Sequence, residues 1–116
     1  MDPEKYQACI EACHACVTAC ENCAASCLEE DDVEMMVGCI ELDRSCADIC
    51  ALAAREMARD SDFAVRVCAI CAEVCEACGT ECGRHKMDHC QHCAAACRRC
   101  AKLCLEMSQA HSSQPL

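Results

Sequence analysis

Apolar positions recur along this chain at alternating gaps of three and four residues, and most positions on that stripe are cysteine. The first run reads CIEACHACVTACENCAASC, with Cys9, Cys13, Cys16, Cys20, Cys23 and Cys27. At about 100° of turn per residue, an α-helix places all six sulfurs within an arc of roughly 80°, one on each successive turn. The pattern returns at Cys68, Cys71, Cys75, Cys78 and Cys82, and again at Cys90, Cys93, Cys97, Cys100 and Cys104. A sparser version holds Cys39, Cys46 and Cys50. The period is helical throughout and never the alternation of a strand.

Punctuation between the stripes sets the expected elements. The first helix spans about residues 3–28, with Asp2 as N-cap and Pro3 at the first helical position. The acidic run Glu29, Glu30, Asp31 and Asp32 ends it and supplies the N-cap of a second helix over 32–59. That helix is expected to bury Met35, Cys39, Leu42, Cys46, Cys50, Ala53 and Met57. A third helix covers 62–82, with Gly83 as the left-handed residue that terminates it. A fourth covers 89–109, opened by a capping pair of Asp88 and Gln91. Residues 112–116 carry no periodicity and are expected to fray.

Four helices joined by short connections predict an all-α fold: a single domain over residues 1–116, an antiparallel up-down-up-down four-helix bundle with a cysteine-lined core. Met35, Met36, His85, Met87 and His89 then gather at one end. Tyr6, Met57, Asp60, Asp62, Phe63, Met107 and His111 gather at the other.

Composition changes the meaning of that core. The hydrophobic fraction of 54% rests largely on cysteine and alanine, with no Trp and a single Tyr and Phe. Burying a thiol contributes less than burying a leucine, so such a core is lightly packed unless something else fills it. Nineteen cysteines in a short chain suggest a secreted disulfide scaffold. Three features oppose that: the count is odd, the sequence MDPEKYQACIEAC shows no export signal, and stacked seam cysteines give few pairs with disulfide geometry. A reducing cytoplasm is the expected location. The net charge of −10 speaks against nucleic acid and suits a collector of cations, and no apolar run approaches the roughly 20 residues of a membrane span.

Neighbouring seam cysteines have Cβ atoms about 5 to 6 Å apart. A two-coordinate ion with metal–sulfur bonds near those of zinc needs sulfurs roughly 4.5 Å apart, within reach of rotamer changes alone. Thiolates select Cu(I), Zn(II) and iron–sulfur clusters. Thiolates that each bridge two Cu(I) ions bring ligand and metal counts level and the core near neutrality. Closed zinc sites of four thiolates each carry a net −2, and iron–sulfur clusters have no use for evenly spaced rows. Equal counting gives a capacity on the order of 19 Cu(I). A purely structural role for the thiols is opposed by their number, since alanine or valine packs as well without oxidation.

Candidate ligands beyond the thiols lie at the ends of the bundle: His85, Met87 and His89 at one, Met57, Met107 and His111 at the other. His14 and His92 lie off the centre of their stripes and are expected to face solvent or an interface. No nucleophile and base pair and no phosphate loop is present, so the chain does not read as an enzyme.

Through these rows, above all CADICALA and ICAEVCEACGTECGRHKMDHCQHCAAACRRC, the chain resembles the cytosolic branch of the bacterial copper storage proteins over about residues 5–108. The resemblance implies a homotetramer of four-helix bundles, each holding many Cu(I) ions through the nineteen cysteines named above. It implies storage and buffering of copper in the cytosol, with donor and recipient left open. The alternative from the residues alone is general thiol chemistry: zinc or cadmium detoxification, or redox buffering.

Overall fold

The structure, a computed structural model, describes residues 3–112, with the side chains of Pro3, Lys5 and residues 110–112 left aside. The expected Asp2 cap lies outside the described residues, as does the tail expected to fray except for Ser112, which the structure includes in the last helix. Four long helices make up the fold: α1 (Pro3–Cys27), α2 (Val37–Ala58), α3 (Ala64–Gly83) and α4 (Asp88–Ser112). Each packs on its neighbours in sequence, and α4 closes against α1, giving an all-α bundle of 52 × 20 × 17 Å.

The connections differ from the expected punctuation. A 3₁₀ turn, Val33–Met36, precedes α2. Asp32 opens that turn without a side-chain cap, and α2 itself starts after Met36, again uncapped. Backbone bonds of the i→i+3 type, such as Met35 N–H to Asp32 O at 3.2 Å, occupy the donors that a capping side chain would take. The tighter turn also shifts the phase, so Met36 is 1% exposed while Met35 stands 66% exposed in solvent.

Gly83 ends α3 in right-handed conformation, and Arg84 continues it. The last carbonyls are taken by Arg84 N–H to Glu81 O and His85 N–H to Cys82 O, so no left-handed residue is needed. Gln91 likewise does not bond back to Asp88. Its side-chain amide donates to the carbonyls of Gly83 and His85, tying α4 to the end of α3.

At the α2–α3 turn, Asp60 adopts the left-handed conformation at φ 50°. Its carboxylate accepts the Tyr6 hydroxyl at 3.2 Å, joining the start of α1 to this turn. Glu56, buried beneath, accepts from Arg59 and Ser61. Tyr6, Met57 and Ala64 are buried at this end. Ile10, Val17, Ile40, Ile49 and Val74 pack on the flanks of the core, whereas Ile70 is half exposed.

Candidate metal centre

All nineteen cysteines are free, buried thiols. Their rows face one another down the bundle axis, with Cys9 3% exposed and every other cysteine 0 or 1%. Alanine makes the close approach possible: Ala12, Ala19, Ala47, Ala72, Ala94 and Ala101 are buried beside the thiols. Gly79 serves the same end, since a Cβ there would lie 3.4 Å from both Arg98 Cγ and Cys97 Cβ.

The sulfurs form a continuous inner run across all four helices. Cys9 lies 3.5 Å from Cys104, Cys100 3.6 Å from Cys13 and 3.7 Å from Cys50, and Cys50 3.5 Å from Cys75. Cys75 is 3.5 Å from Cys46, Cys46 3.6 Å from Cys16, and Cys93 3.6 Å from Cys20. Sets of four sulfurs lie mutually within 4.8 Å, among them Cys16, Cys46, Cys50, Cys75 and, sharing two members, Cys16, Cys20, Cys46, Cys97. Sulfurs common to adjacent sets are what bridging ligands require. Within the run, S–H groups stabilise a neighbouring thiolate: Cys46 is held well below the usual thiol range, first by Cys16 and then Cys20. Cys50 is pushed far up beside Cys100 and Cys13. Deprotonating so many buried thiols together requires cations inside the seam.

A second group lies where α1 ends and α2 and α4 begin: Cys23, Cys27, Cys39 and Cys90, mutually within 4.8 Å. Cys82 of α3 joins it, 2.9 Å from Cys39. Burial first of all pushes the Cys90 thiol up to about 11. His89 completes this group. Its Nδ1 is 3.5 Å from the sulfurs of both Cys23 and Cys90, and its Nε2 is 3.0 Å from Glu30 Oε2.

Asp43 lies between the two groups and was not expected there. The stripe of α2 runs Cys39, Asp43, Cys46, Cys50, with Leu42 only partly buried at its edge. Asp43 is 0% exposed, and its Oδ1 accepts from Cys93 at 3.2 Å and from Cys78 and Cys82 at 3.3 Å. Cys93 belongs to the inner run and Cys82 to the outer group, so one carboxylate touches both. Burial pushes its carboxyl up to about 8, with Cys93 adding to the shift. The signal available in the sequence was spacing alone: Asp43 fits the four-three-four rhythm that Leu42 breaks.

The remaining end residues are dispersed. His85 is turned to Glu81, Nε2 to Oε2 2.9 Å, and Met87 is partly buried against the core. Met57 is fully buried and Met107 partly so at the opposite end. The side chain of His111 lies outside the described residues. His14 and His92 are exposed.

Comparison with known proteins bears on this geometry. A family model described as copper storage protein matches residues 2–109. An uncharacterized cysteine-rich protein, YhjQ, of Bacillus subtilis is 57% identical over 87 residues, covering 74% of this chain and 81% of that protein. Among solved structures, the Cu(I)-bound copper storage protein BsCsp3 is 56% identical with a TM-score of 0.86, over 90% of this chain and 98% of its own. Apo copper storage protein 3 from Bacillus subtilis is 55% identical with a TM-score of 0.82, over 89% of this chain and 98% of its own. A cytosolic copper storage protein from Streptomyces lividans, solved with five coppers, is 40% identical with a TM-score of 0.89, over 93% and 95%. A thiol-lined bundle matched along nearly its whole length in both sequence and shape leaves one assignment: the chain belongs to the copper storage protein family.

Proposed function

We infer that this chain stores and buffers Cu(I), with the nineteen cysteines as ligands. The observation that carries the reading is the continuity of the buried sulfurs: sets of four share members in the middle of the core, and contacts such as Cys50 to Cys100 at 3.7 Å and Cys78 to Cys82 at 3.9 Å link these to the sulfurs at its ends. Soft thiolates hold Cu(I), and shared thiolates let each added ion cancel the charge of the ligand it recruits. His89 adds a nitrogen ligand at the outer group, and Asp43 adds an oxygen where that group meets the inner run. No catalysis is involved: the bundle acts as a reservoir.

Zinc or cadmium detoxification is the competing reading, because a set of four thiols within 4.8 Å also suits a tetrahedral ion. Sharing of sulfurs disfavours it, since isolated four-thiolate sites each leave a net −2 in a buried seam. We further propose a cytoplasmic location and assembly as a homotetramer. Similarity to a cytosolic copper storage protein supports the first. Among the described residues, no helix is long and apolar enough to cross a membrane. Exposed Leu28, Met35, Val37, Phe63, Ile70 and Leu105 offer apolar surface for the assembly.

X-ray absorption at the copper edge of the loaded protein tests the ligand set. Sulfur-dominated coordination near 2.2 to 2.3 Å, roughly the metal–thiolate distance of zinc sites, is expected. A nitrogen- or oxygen-dominated shell would overturn it.

A further inference from the structure

We propose that Glu30 is a positioning residue, which fixes the ring of His89 so that Nδ1 permanently presents its lone pair to the outer thiols. The proposal rests on the reading of His89 as a copper ligand. A neutral imidazole carries one N–H, and the partner of one nitrogen decides which nitrogen is left to bind metal. Here Nε2 lies 3.0 Å from Glu30 Oε2, and a carboxylate can only accept, so Nε2 holds the hydrogen. Nδ1 is then the acceptor, 3.5 Å from both Cys23 Sγ and Cys90 Sγ.

Glu30 is itself well placed for this. Its amide donates to Cys27 O at 3.2 Å, and the preceding Glu29 amide to Ser26 O at 3.0 Å, so the chain beyond α1 is pinned to the helix that bears Cys23 and Cys27. The carboxylate reaches from there across to α4, whose first turn carries both His89 and Cys90. Two elements that must converge on one ion are thereby registered through a single charged hydrogen bond. His85 shows what the arrangement is not: it also meets a carboxylate, Glu81, but within one helix end and across one turn. Carboxylates that orient a ligating histidine are worth about 10- to 100-fold in metal affinity elsewhere.

The test is nitrogen-15 NMR of the histidine ring in reduced protein, followed as Cu(I) is added against a chromogenic chelator. Wild type and Glu30→Gln, whose amide oxygen still accepts from Nε2–H, should show the Nε2–H tautomer at His89. Glu30→Ala should show mixed tautomers and copper binding at His89 weakened about tenfold or more. A Glu30→Ala protein with the wild-type tautomer and affinity would overturn the proposal while leaving His89 as a ligand. A His89→Ala protein whose outer equivalents bind as tightly as in wild type would remove the ligand itself, and the proposal with it. Both variants keep the inner run, so total capacity reports separately on storage.

Discussion

Cys39 and Cys82 place their sulfurs 2.9 Å apart across α2 and α3, against 3.5 Å or more for the other sulfur–sulfur contacts described above. A hydrogen bond joins them, and either sulfur can donate. Cys39 is held well below the usual thiol range, first by Cys23 and next by Cys82, while Cys82 is pushed up. Of the two, Cys39 is therefore the thiol expected to lose its proton first.

Ultraviolet thiolate absorption of the reduced apo protein checks this. A thiolate signal should persist in mildly acidic solution, diminish in Cys39→Ala, and shift to higher pH in Cys82→Ala, where a hydrogen-bond donor is lost. A titration identical in all three proteins would contradict this coupling of Cys39 to Cys82.

Asp43 should make the apo bundle less stable as pH rises. Burial pushes its carboxyl up to about 8 in the folded state, from the ordinary carboxylate value of 3.8 that holds when unfolded. The folded state therefore binds the extra proton between these values. The stability linked to this group is whole below about 4, and is lost as pH climbs to about 8, by up to about 1.4 kcal/mol per pH unit. Urea denaturation at pH 5 and pH 8 should show a steeper fall in wild type than in Asp43→Asn, which removes the proton but keeps the shape. Equal slopes would show that burial does not protonate this carboxyl.

Gly79 should tolerate alanine and reject anything larger. A Cβ at this position meets Arg98 Cγ and Cys97 Cβ at 3.4 Å and Ala94 O at 3.6 Å. These are ordinary van der Waals contacts, so Gly79→Ala should keep a helix-propensity gain of up to about 1 kcal/mol. Gly79→Leu forces α3 away from α4 and should cost about 1 to 3 kcal/mol in chemical denaturation. The same variant should lower copper capacity, because Cys97 and Cys78 lose their register. Wild-type stability and capacity in Gly79→Leu would mean that the α3–α4 approach does not depend on this residue.

Repetition made the bundle and its thiol seams legible from the sequence, because spacing alone fixes which face of a long helix is buried. Single positions were harder. Leu42 was expected on the seam because it is apolar, but the helix turns Asp43 inward, where thiols rather than water satisfy its oxygens. Met35 was expected inside because the phase was counted back through residues that form a 3₁₀ turn. Of the histidines near the α3–α4 connection, spacing could not distinguish His85 from His89. The path of that short connection decides it, sending one ring to Glu81 and the other between Cys23 and Cys90.

Reservoir and conventional metal site part company most plainly in how much copper one chain holds. Reduced protein, loaded anaerobically with excess Cu(I), separated from unbound metal and assayed for copper and protein, should retain close to one ion per thiol of its nineteen cysteines. About one proton should be released for each thiol engaged. Saturation at one or two ions per chain, or uptake without proton release, would contradict a seam of shared thiolates filled by Cu(I).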